Sequence, residues 1–240
     1  MNSISQNMEQ VRRQIADACA QAGRDPAGVQ LLAVSKTFGV DAIAEAIAAG
    51  QRAFGENYIQ EAVEKIVHFR AQPGVQALGL QWHCIGPIQS NKTRLVAEHF
   101  DWVHTIDRAK IAQRLSQQRP AHLPPLQVCL QINPDGGATK SGIAPAEAPA
   151  LLPELLALPR LQWRGVMGIH DVAPGFEAQC AVHRSVRAVF EQIAALRLPG
   201  LERWDTVSLG MTADLLAAIS AGSTMVRVGT GIFGKRHYAC

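Results

Sequence analysis

At 240 residues and 48% hydrophobic, the chain can bury one substantial core and has the size of the α/β barrels that fold as a single domain. The formal net charge is only +3, with lysine and arginine dispersed among the acidic residues, which excludes the basic stripe of a nucleic-acid or membrane-surface binder. Cys19, Cys84, Cys129, Cys180 and Cys240 show no C-x-x-C spacing, the stretch from Met1 to Gln10 is polar, and no apolar run reaches about eighteen residues. These features predict reduced core thiols in a cytoplasmic protein, without an export signal or a membrane span.

Ile4, Met8, Val11, Ile15 and Cys19 recur at spacings of three and four, which predicts an amphipathic helix from about Ile4 to Ala22, closed by Gly23. Leu31 to Thr37 is an apolar strand that delivers Lys36 at its end. Asp41 is placed to cap a helix running to Gly50, and Arg52 to Gly55 forms a second short strand with Glu56 and Asn57 at its end. A helix from about Tyr58 to Arg70 leads through Pro73-Gly74 to a third strand, Gln81 to Gly86. A helix over Lys92 to His99 feeds the fourth strand, Trp102 to Ile106.

Asp107 is placed to cap the next helix, and Leu126 to Ile132 is the clearest strand in the chain. A long loop from Asn133 to Gly142 and a helix near Glu147 to Leu158 precede the sixth strand, Leu161 to Ile169. A long helix over Glu177 to Leu196, whose charges read as a solvated outer face, leads to Thr206–Gly210. Thr212 is placed to cap a helix over Ala213 to Ala221, and Thr224 to Gly229 is the last strand. Eight strand candidates separated mostly by helices, at spacings suited to right-handed crossovers, predict a (β/α)8 TIM barrel with one helix added in front. The expected organisation is one domain over residues 1–240, with the N-terminal helix in 1–23 and the barrel in 31–236.

In such a barrel the chemistry lies where strands end. Lys36 either snorkels into water or, in apolar surroundings that lower its pKa, serves as a nucleophile for a carbonyl. The loops after strands seven and eight read Ser208-Leu209-Gly210-Met211-Thr212 and Arg227-Val228-Gly229-Thr230-Gly231. Their glycines serve either as turns or as a close backbone approach to an anion, and their hydroxyls suit phosphate. Arg227 offers a fixed charge or, alternatively, partners a buried carboxylate. His83 and His104 read as hydrogen-bonded barrel residues, because no metal-ligand spacing accompanies them, and no metal site is expected. A lysine on strand one, opposite a phosphate cup on strands seven and eight, suits a phosphorylated aldehyde. Pyridoxal 5'-phosphate (PLP) is the obvious candidate, its aldehyde on Lys36, its phosphate on Ser208, Gly229 and Thr230, and Asn57 and His83 near its ring.

The motifs A-V-S-K-T (33–37), F-G-E-N-Y (54–58), W-H-C-I-G-P-I-Q-S-N-K (82–92), K-S-G-I (140–143), S-L-G-M-T-A-D (208–214) and M-V-R-V-G-T-G-I-F-G (225–234) carry a resemblance. In them the chain closely resembles the pyridoxal phosphate homeostasis proteins, the YggS/PROSC family of fold-type III PLP-binding barrels related to the N-terminal domain of alanine racemase. The resemblance implies Lys36 as the Schiff-base lysine and Ser208, Gly210, Arg227, Gly229 and Thr230 at the phosphate end, with Asn57, His83 and Met167 lining the ring. The chain departs from the family pattern at His170, where proline is usual, at Thr212, where serine is usual, and in the loop Pro134-Asp135-Gly136-Gly137.

The chain ends soon after the eighth strand, without the C-terminal β domain of alanine racemase, and neither Tyr58 nor Tyr238 obviously replaces that enzyme's catalytic tyrosine. The resemblance therefore implies no catalytic residue. It implies a carrier in intracellular PLP and vitamin B6 homeostasis, which stores, buffers or delivers the cofactor to apo PLP-dependent enzymes and so influences amino-acid and keto-acid balance. A small racemase or lyase, or a barrel for another phosphorylated metabolite, are the alternatives. Lys140 reads either as a solvated loop lysine or as a second amine that assists ligand exchange.

Overall fold

The first helix starts with a capping box: the Ser3 hydroxyl accepts the Gln6 amide at 3.2 Å, and the Gln6 side chain accepts the Ser3 amide at 3.0 Å. It opens α1 (Ile4–Gln21) in the computed structural model, which describes residues 3–134, 141–170 and 173–234. The face of α1 that carries Met8, Val11, Ile15, Ala18 and Cys19 is buried. Asn7 ties it to the carbonyl of Ile232 at 2.8 Å, so the added helix is bound to the end of the last barrel unit.

Among the described residues, eight strands pair in parallel into a closed barrel in sequence order: β1 (Gln30–Val34), β2 (Ala53–Glu56), β3 (Gln81–Cys84), β4 (Trp102–Ile106), β5 (Leu126–Ile132), β6 (Leu161–Gly168), β7 (Thr206–Ser208) and β8 (Met225–Val228). The further helices are α2 (Val40–Ala48), α3 (Ile59–Arg70), the single turn α4 (Pro73–Gln76), α5 (Thr93–His99), α6 (Ala109–Gln118), α7 (Ala148–Leu156), α8 (Phe176–Ala195), α9 (Leu215–Ser220) and α10 (Thr230–Phe233). The expected barrel and its leading helix are therefore present.

Period-two alternation divides each strand between two cores. Ala33, Phe54, Trp82, Val103, Val226 and Val228 belong to the apolar layer between sheet and helices. Phe54 stacks on Trp82 at 5.3 Å and Trp82 on Phe69 of α3 at 6.0 Å, joining β2, β3 and α3. Leu32, Val34, Ala53, Ile85 and Met225 form one separate inner cluster, and Trp102, Cys129 and Met167 another. Closure has a direct consequence for the site, because β1 pairs with β8 and Ala33 stands beside Val228. Lys36 is thus adjacent to the loop after β8, not opposite it.

Three expected helix caps are corrected. Gly39, not Asp41, takes the cap position of α2, and Asp41 sits in the first turn where its charge favours the dipole. Arg108, not Asp107, precedes α6. Asp214, not Thr212, takes the cap position of α9; its side chain makes no capping bond to the helix, and its Oδ1 instead accepts the Met211 amide at 2.6 Å, which holds residues 211–214 as a turn. The four described cysteines, Cys19, Cys84, Cys129 and Cys180, are free and buried. Cys240 and Lys140 lie outside the described residues.

Candidate functional site

Lys36 is half-buried just beyond β1, and the backbone on both of its sides is clamped. Glu56, wholly buried at the end of β2, accepts the Ser35 hydroxyl at 2.7 Å and the Lys65 ammonium at 2.9 Å. Lys65 donates also to the Ser35 carbonyl at 3.0 Å and to Glu61 at 2.5 Å, and Glu61 in turn accepts the Thr37 amide at 2.7 Å. Thr37 has φ +69°, a left-handed conformation that a β-branched residue adopts only under constraint, and the clamp supplies the constraint. Burial pushes the Glu56 carboxyl above its usual range although Lys65 pulls it down.

Beneath the mouth a polar chain crosses the barrel interior. Arg227 donates to the Ser208 carbonyl at 2.6 Å, to the Ser208 hydroxyl at 2.9 Å and to the Gly168 carbonyl at 2.9 Å. The Ser208 hydroxyl meets His104 Nδ1 at 3.0 Å, and His104 Nε2 meets His83 Nδ1 at 2.9 Å. Arginine only donates, so the proton order that satisfies every link runs from Ser208 to His104 to His83. It leaves both rings neutral and a donor on His83 Nε2, a buried atom with no protein hydrogen-bond partner. Burial agrees with this, holding His83 down to about 3, His104 well below the usual imidazole range and Arg227 down to about 10. His83 is fixed further by stacking on Trp102 at 5.1 Å.

Above this floor, Asn57, Ile85, Pro87, Thr105, Gln131, Ser141, Ile169 and His170 line a cavity of about 280 Å³. The Oδ1 of Asn57 is buried there without a protein hydrogen-bond partner. Gly86 lets the β3 end pass close to it, since a Cβ at that position would lie 2.4 Å from the Asn57 carbonyl oxygen. The Gly86 carbonyl accepts the Thr105 hydroxyl at 2.8 Å.

At the rim between β7, β8 and β1, the hydroxyls of Thr212 and Thr230 stand 3.5 Å apart, both open to solvent or nearly so. A Cβ on Gly229 would lie 3.3 Å from the Val34 carbonyl oxygen, which brings the β8 end against the strand that leads to Lys36. Gly210 has φ +86°, and a Cβ there would come within 2.3 Å of the Ala218 methyl on α9, so the turn that carries Thr212 requires glycine. The result is an amine and two hydroxyls on adjoining strand ends, with a neutral polar floor beneath.

Residues 3–237 match the family model described as alanine racemase, N-terminal domain. A pyridoxal phosphate homeostasis protein of Vibrio cholerae is 54% identical over 239 residues, covering 100% of this chain and 99% of that one, and one of Escherichia coli K12 is equally similar over the same coverage. The chain belongs to the pyridoxal phosphate homeostasis protein family. The solved structure of PipY from Synechococcus elongatus PCC7942 with PLP bound is similar at a TM-score of 0.82 and 35% identity, covering 97% of this chain and 100% of that one. Alanine racemase of Corynebacterium glutamicum, at 20% identity and a TM-score of 0.64 over 98% of this chain and 62% of its own, shares the fold.

In this family member the structure divides the residues that the motifs single out. The strand end that leads to Lys36 adjoins Gly229, Thr230 follows Gly229 and stands by Thr212, and Asn57 and His170 line the mouth. Ser208 and Arg227, expected around the phosphate, have their side chains inside the barrel, as does Met167, expected beside the ring. The pleat turns them inward, and both Nη atoms of Arg227 are taken by barrel oxygens. An exposed hydroxyl after β7 is that of Thr212. Sequence reasoning missed the Glu56, Glu61 and Lys65 clamp. The Glu61–Lys65 spacing of four on α3 is visible in the sequence, but it reads there as an ordinary exposed pair.

Proposed function

We propose that the protein binds pyridoxal 5'-phosphate at the barrel mouth and serves PLP homeostasis by storing, buffering or delivering the cofactor, without turning over a substrate. One observation carries this reading: the Lys36 strand end adjoins Gly229 and the Thr212 and Thr230 hydroxyl pair. The aldehyde and the phosphate-bearing arm of PLP occupy neighbouring ring carbons, so its two anchors belong on neighbouring strands. Lys36 supplies the amine for a covalent Schiff-base link, and Thr212, Gly229 and Thr230 hold the phosphate. The ring then lies over the polar floor, where Asn57 Oδ1 and His83 Nε2, each buried with no protein hydrogen-bond partner, are suited to its polar edge.

Bound PLP supplies an electrophilic aldehyde and an electron-accepting ring. Apart from Lys36 and His170, the residues around it hold the cofactor and offer little for proton transfer. His83 and His104 are buried and kept neutral, and Tyr58 is an exposed residue at the start of α3. Apo forms of PLP-dependent enzymes are the partners this reading gives, and among the described residues no helix is long and apolar enough to cross a membrane.

The test combines two measurements on the PLP-loaded protein. PLP titration followed by absorbance should yield a saturable band shift in the wild type that is absent in Lys36→Ala. Incubation with amino acids in deuterated water should give no Cα exchange above that of free PLP, while an apo PLP enzyme gains activity on mixing. Rapid Cα exchange would replace the carrier with a racemase or lyase, an unchanged titration in Lys36→Ala would place the imine on another amine, and no saturable shift in the wild type would assign the mouth to another phosphorylated ligand.

A further inference from the structure

Three side chains distant in sequence converge at the rim, beside the mouth cavity. His170 follows β6, His183 lies on α8 and Asp214 caps α9. The Nε2 atoms of the two histidines are 3.3 Å apart, and the Asp214 Oδ2 lies 3.0 Å from His183 Nε2 and 3.4 Å from His170 Nε2. All three side chains are at least nine-tenths buried. The other Asp214 oxygen, Oδ1, accepts the Met211 amide at 2.6 Å, which fixes the carboxylate with Oδ2 facing the imidazoles.

Hydrogen bonds do not satisfy this triangle. If both imidazoles donate from Nε2 to the carboxylate, two N–H groups face each other across 3.3 Å. If one imidazole accepts from the other, its own Nε2 lone pair also faces the carboxylate oxygen. Every placement of protons on Nε2 therefore leaves one side of the triangle unfavourable. A cation at the centre makes all three sides favourable at once. A tetrahedral ion bound at about 2.0–2.1 Å by imidazole nitrogen and carboxylate oxygen has ligand-to-ligand edges of about 3.3 Å, which is the size of this triangle.

We infer that His170, His183 and Asp214 form a binding site for a divalent transition-metal ion of the zinc class, with three protein ligands and one open position. Imidazole and carboxylate donors select zinc, cobalt or nickel over magnesium or calcium, which take oxygen ligands. The ion ties the segment after β6 to α8 and to the turn that carries Thr212, and His170 also lines the mouth cavity. The positions 170, 183 and 214 are too far apart in the chain for ligand spacing to reveal the site, which is why the sequence gives no metal signal.

The test uses the tag-free full chain, stripped with a chelator and without PLP, titrated with cobalt(II) and then with zinc. One equivalent of cobalt should produce the intense visible bands of a tetrahedral centre, and zinc should abolish them. His170→Gln and Asp214→Asn, the second of which keeps an oxygen for the Met211 amide, should each weaken cobalt binding by more than about tenfold, the loss that removal even of an outer partner brings. Their circular dichroism should match the wild type. No saturable binding by the folded wild type, or binding unchanged in both variants, would overturn the inference.

Discussion

Lys65 shows how one buried charge positions another residue. Its ammonium is the shared donor for Glu56, Glu61 and the Ser35 carbonyl, so Lys65→Met leaves the wholly buried Glu56 carboxylate without its cation. Breaking a buried pair from one side costs about 3–5 kcal/mol, and denaturant unfolding of Lys65→Met should show a loss of that order. The histidine chain gives a pH prediction. The folded-state value for His83 is about 3 against an ordinary 6.5, so the unfolded chain takes up the proton first as pH falls. This contribution is complete above pH ~6.5 and is lost progressively toward pH ~3, at roughly 1.4 kcal/mol per pH unit. Glu56, whose raised carboxyl acts in the opposite sense, is common to the wild type and to His83→Asn. Between pH 7.5 and 5.5 the wild type should therefore lose roughly 1.4 kcal/mol more than His83→Asn in urea unfolding, whereas parallel profiles would place a charged or solvated imidazole at position 83.

At the scale of elements, the strand ends set the site. Gly210→Ala combines a left-handed backbone with a methyl 2.3 Å from Ala218, and the strain should displace the turn carrying Thr212. A stability loss of about 1–3 kcal/mol is expected from thermal unfolding, together with weaker PLP retention. Thr212→Val and Thr230→Val each remove a hydroxyl at the rim, and a hydrogen bond to a charged group is worth about 1.5–3 kcal/mol, so PLP dissociation constants should rise roughly ten- to a hundredfold with little change in stability. The strands were legible because apolar runs stop at residues that cannot continue them, and even the three-residue β7 carried that signal. That Lys36, Gly229 and Thr230 follow strands was legible for the same reason. Which groups Ser208 and Arg227 bond to inside the barrel was not, since it depends on the register of β6, β7 and β8 once the barrel closes. The caps of α2, α6 and α9 were misread because none of these helices starts on a side chain that makes a capping hydrogen bond, which is the signal the sequence reading relied on.

For the whole molecule, closure of the barrel converts sequence distance into adjacency. The first and last strands pair, so a lysine near residue 36 and a hydroxyl near residue 230 share one corner. The same closure buries the thiols: Cys84 and Cys129 are pushed up to about 12 by burial. Mass spectrometry after alkylation of the native protein should therefore find Cys84 and Cys129 unmodified, with labelling only after denaturation. The central claim is that this barrel holds PLP through Lys36. Its most direct test is borohydride reduction of the PLP-loaded protein followed by peptide mass mapping. The account predicts a reduced PLP adduct on the peptide containing Lys36, and an adduct confined to other lysines, or none on folded protein, would contradict it.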